Sequence, residues 1–191
     1  GLAKSLKSIH DSDIFCVVDA TDRLKIFFKD QNFVHFNKSW FYHDHIKKQT
    51  NDPDMEFLLS FEKKYKINLW LLVQNERIFT DYNSFYNFKK EEIFSILEQE
   101  CKFFEKILNE VQPDFLITYM TNLHHNHLFY LMCKAKGIKV LMLIPTRLSN
   151  RYMISNEPEK FDQYHISTNS FESKTPEQLL DFLNKKSAIK D

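Results

Sequence analysis

The sequence predicts an α/β protein: a Rossmann-like open parallel sheet with helices on both faces, three layers α/β/α, in a single domain over residues 1–191. Three observations predict it. A strand–helix–strand succession at βαβ spacing runs over residues 114–144. A weaker alternation of the same kind occupies residues 2–36. Apolar residues make up 43% of 191, enough to build a core.

From the start of the chain, "LAKSLKSI" predicts a helix, "DIFCVV" a strand, "TDRLKIFFKD" a helix and "NFVHF" a second strand. With a helix ahead of the first strand, a further strand before it is an expectation that the sequence leaves open. Residues 40–86 are rich in aromatics and read as an irregular or helical insertion beside the sheet. Within it, "DMEFLLSFEKKY" has a helical pattern, and "INLWLLV" fits helix or strand by period, with helix preferred.

"KKEEIFSILEQECKFFEKILNEV" is the clearest element. Ile93, Leu97, Cys101, Phe104, Leu108 and Val111 recur at steps of three or four, and Ile96, Phe103 and Ile107 widen the stripe. Asn87 is the expected cap and Pro113 the stop. "DFLITYM" then reads as a buried strand, and "NLHHNHLFYLMCKAKG" as a helix capped by Thr121 or Asn122. Gly137 suits the left-handed position that ends it. "IKVLMLIP" is a second buried strand, expected parallel to the first through a right-handed crossover. "TPEQLLDFLNKK" starts a last helix, with Thr175 as cap and Pro176 in the first position.

Composition excludes several functions. Lysine plus arginine equals aspartate plus glutamate, 26 each, so no overall field draws the chain to nucleic acid. Gly1 and Gly137 are the only glycines, so neither GxGxxG nor GxxxxGK[ST] can be written. Cys16, Cys101 and Cys133 are widely spaced, which suits core residues in a reducing, cytoplasmic setting better than a disulfide framework. No apolar run approaches the roughly 20 residues of a membrane span, so membrane association is expected to be peripheral if it occurs.

In open parallel sheets, ligands bind beyond the carboxyl ends of the strands. That rule selects Asp19, Thr21 and Asp22 after the first strand, Thr121, Asn122, His124 and His125 after the strand ending at Met120, and Thr146, Arg147 and Arg151 after the last. The histidines fall on the first turn of a helix, whose free amides suit an anion and whose dipole favours neutral imidazole. A neutral histidine there can act as general base, so His124 and His125 are the catalytic candidates. On a solvent-facing helix start, His124→Ala is expected to weaken ligand binding and spare folding. A metal site is the sharper alternative: His124 and His127 are three apart, with His43, Asp44 or His45 as further ligands. No metal is expected. Glu76 and Arg77 in "NERIF" place charge among apolar residues at a cleft, and Trp70, Tyr82 and Tyr86 could stack on a sugar or base.

"FEKKYKINLWLLVQNERIF", "QPDFLIT", the polar helix start and "GIKVLMLIPTRLSNRYMIS" together resemble the amino-terminal half of GT-B-type surface (capsule) polysaccharide biosynthesis proteins, over about 55–157. The resemblance implies the acceptor-side domain of a two-domain glycosyltransferase, not active alone. The cleft would be lined by His124, His125, Asn122, Glu76, Arg77, Arg147 and Arg151. It implies a glycan or other small acceptor, no cofactor in this domain, and a nucleotide-sugar donor held by a carboxyl-terminal domain of the same protein. The alternative is a non-catalytic module binding an anionic small molecule or a protein partner.

Overall fold

The computed structural model describes residues 2–20, 22–48, 52–81, 84, 86–146, 152–158, 175 and 177. The chain divides into two compact units, Gly1–Phe161 and Asp162–Asp191. Of the second unit, Thr175 and Glu177 are described. Apart from these two positions, the helix expected over 175–186 lies outside the described residues, as do Thr21, Tyr82, Arg147 and Arg151.

The first unit is mixed α/β. Helix α1 (Leu2–Ile9) leads to strand β1 (Phe15–Val18), helix α2 (Asp22–Asp30) and strand β2 (Lys38–Phe41). A single turn, α3 (Tyr42–His45), follows β2 directly, and α4 (Met55–Tyr65), α5 (Leu69–Gln74) and α6 (Arg77–Thr80) fill the aromatic-rich stretch. The long α7 (Lys90–Val111) precedes β3 (Phe115–Tyr119), α8 (His124–Ala135), β4 (Lys139–Pro145) and β5 (Tyr152–Ser155). Helix wins over strand at 67–73 because Asn68 accepts the Leu71 N–H and caps α5, while Leu69, Leu72 and Val73 turn inward.

The βαβ unit forms as the spacing predicts. β3 and β4 are parallel, in register from Phe115 opposite Lys139 to Tyr119 opposite Leu143. β1 and β2 are also parallel, from Phe15 opposite Lys38 to Val18 opposite Phe41. Among the described residues the strands make two sheets, β1-β2 and β3-β4-β5, and β5 runs antiparallel to β4. On β4, Val140, Met142 and Ile144 are buried, and α8 packs against that strand. Phe115, Ile117 and Tyr119 of β3 and Tyr152 and Ile154 of β5 remain exposed, as the period-two alternation of strands requires when one face is uncovered.

The second strand is not "NFVHF" but the following KSWF segment. Gln31 takes the earlier residues out of extended pairing: its Oε1 accepts the N–H groups of Phe33 and Val34, and its Nε2 donates to the Val34 carbonyl. Asn37 then aligns β2 beside β1. Its N–H donates to the Ile14 carbonyl, its Oδ1 accepts the Ile14 N–H, and its Nδ2 donates to Asp13.

α7 is the spine of the core, with Leu97, Cys101, Phe104 and Leu108 buried along its stripe. It begins at Lys90 rather than after Asn87, because the Glu92 carboxylate reaches back to accept the Lys89 N–H. Gln112 in the left-handed conformation (φ 48°) and Pro113 end it. Gly137 ends α8 at φ 73°, where the Gly137 and Ile138 amides donate to the Lys134 and Cys133 carbonyls. Cys101 and Cys133 are fully buried core residues, and burial pushes both thiols up. No helix among the described residues is long and apolar enough to cross a membrane.

Candidate functional site

The site begins with a carboxylate that caps two helices. After α5 ends, Glu76 occupies the cap position of α6, and its Oε1 accepts the Ile78 N–H at 3.3 Å. Its other oxygen crosses to α8, where it accepts the His124 backbone N–H at 2.9 Å and faces the His124 ring Nδ1 at 2.7 Å. The cap of α8 therefore comes from 48 residues away. Neither Thr121 nor Asn122 is the cap: Leu123 holds that position without a side-chain bond. The Thr121 hydroxyl pairs instead with His127 Nδ1 at 2.9 Å. The helix end expected to receive an external anion already holds an internal one.

The second nitrogen of His124, Nε2, lies 2.8 Å from Glu100 Oε1, a residue in the middle of α7. The Tyr42 hydroxyl donates to the same oxygen. The three side chains are nearly sealed: His124 is 8% exposed, Glu76 4% and Glu100 0%. Glu100 Oε2 is buried and has no hydrogen-bond partner among the described residues. Phe79 packs on the His124 ring, 4.9 Å between centroids.

Two carboxylates reverse the neutral imidazole expected from the helix dipole. Burial by itself would lower the His124 pKa, but the hydrogen bonds to Glu100 and Glu76 outweigh it and push it up to about 9. Burial would raise Glu76, but the His124 ring and backbone donors outweigh it and hold the carboxyl at about 2. With both nitrogens donating, His124 has no lone pair to offer as a base in this state.

A second branch lies beside the first. His125 Nε2 is 2.9 Å from Asp19 Oδ2, and His43 Nε2 is 3.0 Å from Asp19 Oδ1. Asp19 follows β1 and His43 follows β2 in one sheet, and His125 follows β3 in the other, so residues beyond the carboxyl ends of strands from both sheets supply the set. Tyr42 stacks on His125 at 4.4 Å and joins this branch to Glu100. The hydrogen bond from His125 holds the Asp19 carboxyl below the usual range. The "HDH" stretch is divided: His43 goes to Asp19, Asp44 pairs with Lys25, and His45 stacks on Phe103 at 4.2 Å.

Of the residues selected from sequence, Glu76, His124, His125 and Asp19 come together. Arg77 and Asn122 are exposed, on α6 and in the turn before α8. Trp70 lies beside Phe94, and the Tyr86 hydroxyl donates to Glu92, so neither ring is part of the cluster. His127 Nδ1 pairs with the Thr121 hydroxyl, and among the described residues His127 is not in the ligand-capable group around His124. The ligand-capable atoms of Glu100, His124 and His125 do lie within 4.8 Å of one another. Glu100 and Tyr42 escaped sequence reasoning. Glu100 carried a signal: it stands three after Leu97 and four before Phe104, a charge inside the apolar stripe.

Fold and site together define a mixed α/β protein with a buried carboxylate–histidine cluster at the carboxyl ends of its parallel strands. No family model matches the chain, and no curated protein or solved structure matches it.

The paired shifts set a pH window for stability. His124, raised from 6.5 to about 9, contributes stability fully present below pH 6.5 and lost as pH rises through 9. Glu76, lowered from 4.5 to about 2, contributes stability present above pH 4.5 and lost as pH falls through 2. Thermal unfolding in chelator-containing buffer is expected to peak between pH 4.5 and 6.5 and to decline toward pH 9. A melting temperature that is flat or rising from pH 6.5 to 9 would contradict this ion pair.

Proposed function

We propose that this chain is the amino-terminal, acceptor-side domain of a GT-B-like glycosyltransferase of cell-surface (capsule) polysaccharide assembly, dependent on a second domain for its nucleotide-sugar donor. The same proposal includes the finer fold, a Rossmann-like open sheet in three layers. The carrying observation is the His43–Asp19–His125 set, whose members follow β1 and β2 of one sheet and β3 of the other; in the single open sheet of this proposal, those strand ends are where ligands sit.

The chemistry needs a base for an acceptor hydroxyl. His43 is the accessible member, with its side chain 56% exposed. With Nε2–H donated to Asp19, its Nδ1 carries the lone pair that takes the hydroxyl proton. His125 holds the other Asp19 oxygen and acts through that carboxylate. The acceptor oxygen then bonds to the sugar carbon as the nucleoside diphosphate departs. His124 is structural in this scheme. The alternative anion-binding module loses its main support, because Glu76 occupies the end of α8.

Calorimetry of the folded chain against a panel of acceptor oligosaccharides and nucleotide sugars tests the proposal. An oligosaccharide is expected to bind, and His43→Ala and Asp19→Asn to weaken it about tenfold or more, the scale of a hydrogen bond to a charged group. Absence of oligosaccharide binding by folded protein, or binding untouched by both changes, overturns it.

A further inference from the structure

Two imidazoles and one carboxylate meet at the centre of the cluster. Each histidine is held at one nitrogen by an outer carboxylate: Glu76 at His124 Nδ1, 2.7 Å, and Asp19 at His125 Nε2, 2.9 Å. Pairs of this kind orient metal-bound imidazoles, because the outer hydrogen bond sets the tautomer and leaves the opposite nitrogen for an ion. Here the opposite nitrogens are Nε2 of His124, which faces Glu100, and Nδ1 of His125.

A second observation does not depend on the histidines. Glu100 is fully buried and its Oε2 has no partner among the described residues. A carboxylate oxygen left unsatisfied in an interior costs free energy that a cation recovers.

We propose that Glu100, His124 and His125 bind one divalent transition-metal ion of the zinc class, with Glu76 and Asp19 as the outer carboxylates that orient the two rings. Two imidazoles and a carboxylate form the donor set of open zinc sites, which keep a further position for water or substrate. Two nitrogen donors select against Mg²⁺ and Ca²⁺. The ligand-capable atoms already lie within 4.8 Å of one another. Donors around tetrahedral zinc stand about 3.3–3.6 Å apart, given bonds of roughly 2.0–2.2 Å. His124 Nε2 and Glu100 Oε1, at 2.8 Å, therefore separate slightly as the proton gives way to the ion. The site shares His125 and Asp19 with the rim, but its argument from Glu100 and His124 does not depend on whether the rim binds a glycan.

The full chain is stripped with chelator, dialysed against Zn²⁺, and followed by elemental analysis, calorimetry and thermal unfolding, with Co²⁺ absorption as a report of ligand type. One Zn²⁺ per chain and a raised melting temperature are expected. Glu100→Gln is expected to abolish binding. If Glu100→Gln does not fold, Asp19→Asn, on a partly exposed residue, is expected to weaken Zn²⁺ by about 10- to 100-fold with unchanged circular dichroism. His43→Ala keeps Zn²⁺ affinity while losing glycan, which separates this site from the rim. Two results overturn the proposal: no stoichiometric Zn²⁺ or Co²⁺ on folded protein, or one ion whose affinity is the same in Asp19→Asn and in His125→Ala. The second outcome would place the ion on exposed histidines such as His10 and His35.

Discussion

His124→Leu is expected to destabilise the metal-free chain by about 3–5 kcal/mol, the cost of leaving a buried charge without its partner. The ring bridges two carboxylates at 2.7 and 2.8 Å, and both carboxylates are nearly inaccessible. Leucine fills comparable volume and supplies no donor, so Glu76 and Glu100 must take up protons or water. The sequence alone suggests the opposite, a solvent-facing histidine that tolerates truncation. Urea unfolding distinguishes the two. A loss under about 1 kcal/mol, ordinary for a surface change, would remove the bridging ring from the account. Glu100→Gln introduced into the His124→Leu background is expected to recover part of the loss, because one of the stranded charges goes with it.

Glu76→Ala is expected to cost a similar amount, about 3–5 kcal/mol, for two reasons that act together. It strands the His124 cation beside Glu100, and it uncaps α6 and α8 at once. Cap loss alone contributes about 1 kcal/mol at one helix. Glu76→Gln separates the contributions: its carbonyl still accepts one N–H while its charge is gone, so the loss should be smaller. The two positions share one interaction, so Glu76→Ala combined with His124→Leu should cost less than the sum of the singles. Hydrogen exchange of the first-turn amides of α8 gives a local check, with the His124 amide expected to lose protection in Glu76→Ala. Simple additivity of the two substitutions would sink the idea of a shared pair.

Much of the framework was legible because it is encoded locally. The period of α7, the βαβ spacing over 114–144 and the left-handed Gly137 each depend on residues within a few turns of one another. That Asp19 and the pair His124 and His125 each follow a strand with a parallel neighbour was legible from the strand–helix alternation, but β1 and β3 lie in different sheets, so their meeting was not. The misses share one cause. Asn87, Thr121 and Asn122 are sound local caps, but Glu92 and Glu76 took those roles, and Glu76 did so from a distant turn. "NFVHF" has strand composition, but the Gln31 side chain satisfies its amides first. β5 and the split into two sheets depend on pairings with no short-range signature.

The sequence by itself determined α7, α8 and the strands β3 and β4 beside them, which faces of the helices are apolar, and that histidines would stand beyond the carboxyl end of a parallel strand. Those are matters of period and spacing, properties of a linear string. Only the tertiary structure decided what the histidines are. Packing α7 against α8 brings Glu100 to one side of His124, and the turn before α6 brings Glu76 to the other. The charge of an imidazole is set by the groups within a few ångströms of it, and here the nearest come from 24 and 48 residues away along the chain.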